Sequence, residues 1–179
     1  SKKRTDILLV KLNQWQNGVF ADPITVEGKA AWYSFAFWIR TAASALLDVD
    51  PQELQAGTRT IRENGRVTAQ AFLSDALENG AGYCTHLAQP QQFRELLVQA
   101  DLNRQNSIAN RWLAQGHEDE CDTSCNICLR DYRNLPYHGV LDWRLALDMA
   151  RLVSDVSATI DLQTPWGNYQ NPWSRLIQG

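Results

Sequence analysis

An α+β fold, a small antiparallel sheet with helices packed on it and a cysteine knuckle on a loop, is what the sequence predicts. Three observations carry this expectation. An Asn64-Gly65 pair divides two strand-like runs. From Trp32 to Leu46 the apolar residues recur at intervals of three and four. Cys121, Cys125 and Cys128 fall within eight residues. The 179 residues, 44% of them hydrophobic and seven of them Trp, make one globular domain large enough to bury a core.

The elements follow in order. DILLVKL, residues 6 to 12, is a short apolar run that fits a strand. Asn, Gly, Asp and Pro at intervals between 13 and 29 read as a loop. Trp32, Phe35, Trp38, Ile39, Ala42, Ala45 and Leu46 form the stripe of an amphipathic helix ending near Asp48. Asp50-Pro51-Gln52-Glu53 reads as a helix start with Asp50 as N-cap, and Gly57 as the close of that helix. Asn-Gly supports the positive φ angles of a type I′ turn, so residues 58 to 73 form a hairpin, with Val67, Ala69, Ala71 and Leu73 alternating on one face. The glycines at 80 and 82 form a tight connection, and Pro90 begins another helix. Residues 101 to 116 read as helical, and Leu141, Leu145, Ala146, Met149, Leu152 and Val153 make a last core stripe. The boundary falls after residue 160: residues 1–160 form the domain, and 161–179 a Trp- and Pro-containing tail whose Trp166 and Trp173 pack on the body or a partner.

The formal net charge of −3 argues against a chain that coats nucleic acid. No apolar stretch reaches the ~18 residues of a membrane span, and SKKRTDILLV is not a secretory signal. A cytoplasmic chain, a piece of a larger one, is expected.

In a reducing compartment, clustered cysteines read as metal ligands before disulfides. Cys121, Cys125 and Cys128 can turn three sulfurs toward one point, and Cys84, brought from the glycine loop, is the natural fourth. Four thiolates suit tetrahedral zinc and leave no open position for water, which makes the site structural. One of His86, His117 and His138 is the alternative fourth ligand; reduced thiols, a disulfide or an iron–sulfur cluster are the others. The cluster motif with this spacing usually carries an aromatic residue before its last cysteine, where this chain has Ile127.

Other chemistry is sparser. The glycine connection lacks the lysine of a phosphate-binding loop. Arg59, Arg62 and Arg66 near the hairpin turn, or Arg130, Arg133 and Arg144, are candidate phosphate contacts. Asp131, His138 and Asp142 can be imagined as a hydrolytic metal site, although pairing around the knuckle and helix capping explain them as well.

GAGYC at 80 to 84, CxxxCxxCLRDYRN at 121 to 134, and His138 followed by LDWRLALD resemble a known module. It is the zinc-binding domain, formerly of unknown function, at the C-terminal end of MrfA-type superfamily 2 DNA helicases, and it is also found in the DrmB component of DISARM phage defence. The resemblance spans roughly residues 6 to 153, with its specific part in the cysteine-to-LDWRLALD block. It implies that Cys84, Cys121, Cys125 and Cys128 bind zinc beside an ATP-driven motor on DNA. One departure is that family members do not all place a cysteine after the glycine loop. The helicase motifs themselves are absent from this chain, so the motor belongs to another part of a parent polypeptide or to a partner. The expected function is a structural zinc-binding accessory module of a helicase, in DNA repair or antiviral defence, with no activity as an enzyme of its own and no membrane contact. A direct DNA-binding module and a metal-dependent nuclease or hydrolase are the alternatives.

Overall fold

A computed structural model of the chain describes residues 4–77, 79–114, 116–160 and Trp173. The fold is α+β, built on a three-stranded antiparallel sheet of order β1-β3-β2. β1 is Ile7–Val10, β2 Leu54–Glu63 and β3 Arg66–Asp75. Asn64 and Gly65 close the β2–β3 hairpin at φ 50° and 74°, the left-handed pair that a type I′ turn needs. The register sets Leu8 opposite Leu73, Val10 opposite Ala71, and Thr60 opposite Ala69. Leu8, Val10, Ala69, Ala71 and Leu73 are therefore buried on one face, while Ile7 and Leu9 on the other are exposed.

Helix α1, Val26–Leu47, packs across β2 and β3 and against the last helix. It starts six residues before the Trp32 stripe, inside the segment read as loop. Thr25 is the reason: its Oγ1 accepts the Gly28 N–H at 3.0 Å, and that N-cap outweighs the glycine beyond it. Trp32, Phe35, Trp38, Ile39 and Ala42 are buried as the stripe predicts, whereas Leu46 is half-buried and Ala45 exposed near the end of the helix.

Asp50 does cap, accepting the Gln52 N–H at 2.8 Å, but only one tight turn follows, Pro51–Glu53. The chain enters β2 at Leu54, so Gly57 lies within a strand rather than closing a helix. There its missing side chain admits the Phe72 ring, whose Cζ is 2.8 Å from where a Cβ would stand.

The remaining helices are α2 Tyr83–Leu87, α3 Pro90–Leu97, α4 Ile108–Ala114, α5 His117–Glu120 and α6 Trp143–Ser154. Residues 101 to 107, expected as helix, are a turn-rich link held by Asp101, whose carbonyl accepts the Ser107 hydroxyl at 2.6 Å. α6 lies along α1, with Leu145, Ala146, Met149 and Leu152 buried. Trp173 is fully buried and donates its Nε1–H to Asp148 Oδ2 at 2.7 Å. Trp166 and the rest of the tail lie outside the described residues.

Gly28 provides a test of the α1 start. A Cβ there would lie 1.7 Å from the Asp22 carbonyl oxygen, a backbone atom that cannot rotate away. Gly28→Ala is expected to lower unfolding stability by about 3 kcal/mol, the upper range for overpacking, measured by urea denaturation.

Candidate metal centre

The knuckle begins at the end of α5. Gly116, at φ 71°, turns the chain into that one-turn helix. His117 and Cys121 are four apart, so the turn brings them to the same side. The chain then doubles back. The Cys128, Leu129 and Arg130 N–H groups all converge on the Cys125 carbonyl at 3.2, 3.2 and 3.0 Å, which curls Cys125 to Cys128 into a tight loop. α6 anchors the other strand of the knuckle: Trp143 donates its backbone N–H to Thr123 O at 2.9 Å and its indole N–H to Cys121 O at 3.2 Å.

The result is a four-membered cluster of His117, Cys121, Cys125 and Cys128, whose ligand atoms all lie within 4.8 Å of one another. Cys128 Sγ is 3.9 Å from both Cys121 Sγ and Cys125 Sγ, and His117 Nε2 is 3.4 Å from Cys125 Sγ. A tetrahedron with ligand bonds of ~2.3 Å to sulfur and ~2.0–2.1 Å to nitrogen has edges of about 3.8 Å between sulfurs and about 3.5 Å between sulfur and nitrogen. These three edges match both and the others stay within 4.8 Å, so the four side chains can close on a tetrahedral metal. All four thiols of the chain are free, with no disulfide competing.

The surroundings favour the ligand forms unevenly. His117 is 4% exposed, its ring between Trp112 and Trp143 at centroid distances of 5.5 and 5.3 Å. Burial lowers its pKa against the pull of Glu120, keeping the imidazole neutral, as a metal requires. Its Nδ1 is buried without an acceptor among the described residues. Burial would also raise the Cys125 thiol, but the Ile127 and Cys128 N–H groups prevail and its pKa is lowered. Cys121 is pushed up, chiefly by burial and by Cys128, and Cys128 rises to about 11 through burial. A cation at the centre supplies what these two buried thiolates lack.

This arrangement corrects the four-cysteine expectation. Cys84 stands apart from the trio, at the start of α2, where its Sγ–H donates to Leu73 O on β3 at 3.2 Å. The glycines hold it there. With Gly80 and Gly82 at φ 60° and 80°, the loop wraps the Asp75 carboxylate, which accepts the Gly82, Tyr83 and Cys84 N–H groups at 2.9, 3.2 and 3.2 Å. The loop thus caps α2 and turns Cys84 into the sheet–helix core rather than toward the knuckle. Burial raises its thiol to about 12, and it behaves as a small apolar side chain. The fourth member of the cluster is His117, one of the three histidine alternatives. His86 is exposed on α2.

His138 serves the scaffold. Its Nε2 is 2.8 Å from Asn134 Oδ1 and 3.0 Å from the Asp131 carbonyl. The fully buried Asn134 also donates to Leu129 O at 2.8 Å. Asp131 caps the Tyr132–Tyr137 helical turn, accepting the Arg133 and Asn134 N–H groups, and pairs with the buried Arg40 of α1. Asp142 caps α6 and grips the Arg144 guanidinium at 2.9 and 3.1 Å. Asp131, His138 and Asp142 are each committed to these bonds, and the His117 cluster is the sole metal-type group among the described residues.

The candidate phosphate contacts also separate. Arg144 is buried, so it leaves the set. Arg130 donates to Ser124 Oγ at 2.8 Å, Arg59 to Gln70 at 2.7 Å, and Arg66 lies 3.4 Å over the Phe20 ring. Arg62 and Arg133 are exposed. No helix among the described residues is long and apolar enough to cross a membrane.

No family model matches the chain, and no solved structure matches it. The chain is similar to Druantia protein DruE of Escherichia coli (strain UMEA 4076-1), with 32% identity over 161 residues. The alignment takes in 83% of this chain, which spans 8% of the length of that relative.

Proposed function

We propose that this chain is a zinc-stabilised accessory module of a cytoplasmic antiphage-defence protein, bracing a superfamily 2 DNA motor or docking it to a partner while hydrolysing no ATP itself. The observation that carries the reading is the tetrahedral fit of His117, Cys121, Cys125 and Cys128. Three thiolates and an imidazole in a closed set suit zinc and leave no coordination position for a reacting water, so the metal's part is structural. Similarity to a Druantia protein favours defence over repair. The small share of that relative's length leaves ample room for a motor outside this segment.

Metal analysis of protein purified without added metal tests the reading. One equivalent of zinc per chain is expected, retained in Cys84→Ser and lost in Cys128→Ser. Iron with visible absorbance, no metal at all, or zinc that departs with Cys84 would overturn it.

A further inference from the structure

Beside the knuckle lies a cavity of about 540 Å³, of the size that holds small ligands. Three segments distant in sequence build it: α1 supplies Phe37 and Arg40, the sheet Leu54 and Phe72, and the turn after the knuckle Arg133 and Tyr137. Gln52 and Gln55 also line it, and no carboxylate does.

Its cations are unevenly satisfied. Arg40 is only 5% exposed, with one Nη on Asp131 and a buried Nε that finds no acceptor among the described residues. Arg133 is exposed and gives one Nη–H to the Gln52 carbonyl at 2.8 Å, and no carboxylate pairs with its side chain among the described residues. The Arg40 pKa is lowered, first by burial, and the charge of Arg133 opposes its protonation too, against the favourable pull of Asp131. The two guanidiniums thus repel each other at this cavity, and only Arg40 is paired with a carboxylate. An anion held there would relieve the repulsion, and the planar guanidinium fork suits phosphate oxygens.

The apolar walls narrow the class of anion. Phe37 is buried, Phe72 and Tyr137 are half-buried, and Tyr137 stacks on Tyr33 at a centroid distance of 4.3 Å, which leaves its other face for a ligand. Rings beside arginines form the usual platform for a base next to its phosphate, each stacked base contributing ~1–3 kcal/mol. We infer that this cavity binds a nucleotide unit, with Arg133 and Arg40 holding the phosphate and Phe72 and Tyr137 flanking the base. The inference deepens the accessory-module reading by naming a ligand, and rests on it only in that the knuckle carries Arg133 and Tyr137 to the cavity.

The test uses the full chain, purified without added metal, and a fluorescently labelled single-stranded DNA 12-mer, with anisotropy as the readout and AMP as the free-nucleotide competitor. Arg133→Gln and Phe72→Leu are each expected to weaken binding about tenfold, the scale of one charged hydrogen bond or one stacked base. Arg62→Gln, an equal charge change at the hairpin tip, is expected to leave it within about twofold. Competition by AMP would identify a free nucleotide as the ligand, and binding of the strand alone a unit of single-stranded nucleic acid. No binding of either at low salt overturns the inference, as does an Arg62→Gln loss equal to that of Arg133→Gln, or equal competition by polyglutamate. Metal content measured on the same samples separates the two claims: Arg133-dependent binding by a chain that holds no metal would sink the zinc reading and leave the pocket standing.

Discussion

Replacing His117 with alanine is expected to strip the metal and loosen the chain from Trp112 to Asn134, the largest effect of any single side chain in this protein. Structural zinc contributes on the order of 10 kcal/mol to small folds that depend on it, more than any lone packing contact. Here the metal would tie α5 to the Cys125–Cys128 loop, and both to the start of α6 through Trp143. The substitution also removes the ring between Trp112 and Trp143. Thermal unfolding with and without a chelator measures the effect. Chelation should lower the wild-type midpoint steeply and leave His117→Ala unmoved, whereas a wild type indifferent to chelator would refute the metal's role.

The same experiment has a pH signature. In the metal-free protein burial holds Cys121 above the ordinary thiol range and Cys128 at about 11, so both are protonated at neutral pH. Binding must expel those protons, and affinity therefore rises as pH rises and falls as it falls. Zinc competition titrations between pH 6 and 8 should show that slope.

Asp131→Ala is expected to cost about 3 kcal/mol, near the lower end for breaking a buried ion pair because Asp131 itself is partly exposed. The penalty comes from Arg40, whose side chain is 6% exposed and would keep its charge inside the protein with no counterion. The substitution also frees the Arg133 and Asn134 N–H groups that begin the helical turn after the knuckle. Replacing both partners, Arg40→Met with Asp131→Leu, should cost less than Asp131→Ala alone, since no charge is stranded. A double-mutant cycle by urea denaturation checks this, and additive costs would show that the two side chains act independently.

The knuckle illustrates how far local pattern reaches. The trio Cys121, Cys125 and Cys128 was legible because close spacing alone lets a short loop gather its sulfurs. His117 was legible as a candidate, four residues before Cys121, yet a fourth thiol elsewhere in the chain made the more uniform ligand set. What excluded Cys84 was the bonding of its surroundings. Asp75 collects three N–H groups from the glycine loop, and that cap aims the thiol at Leu73. A carboxylate at the end of one strand choosing the donors of a later loop leaves no periodic trace.

By itself the sequence determined the hairpin, through Asn64-Gly65, and the core faces of α1 and α6, through residues that recur with the helical period. It also determined the presence of a cysteine knuckle. These are local properties, set by backbone sterics and by which face of an element is apolar. Tertiary structure alone decided that His117 rather than Cys84 joins the cysteine trio, the pairing of Arg40 with Asp131, and the cavity where α1, the sheet and the turn after the knuckle meet. Each of these depends on groups far apart in the chain, brought together by burial and by the need of buried charges and N–H groups for partners.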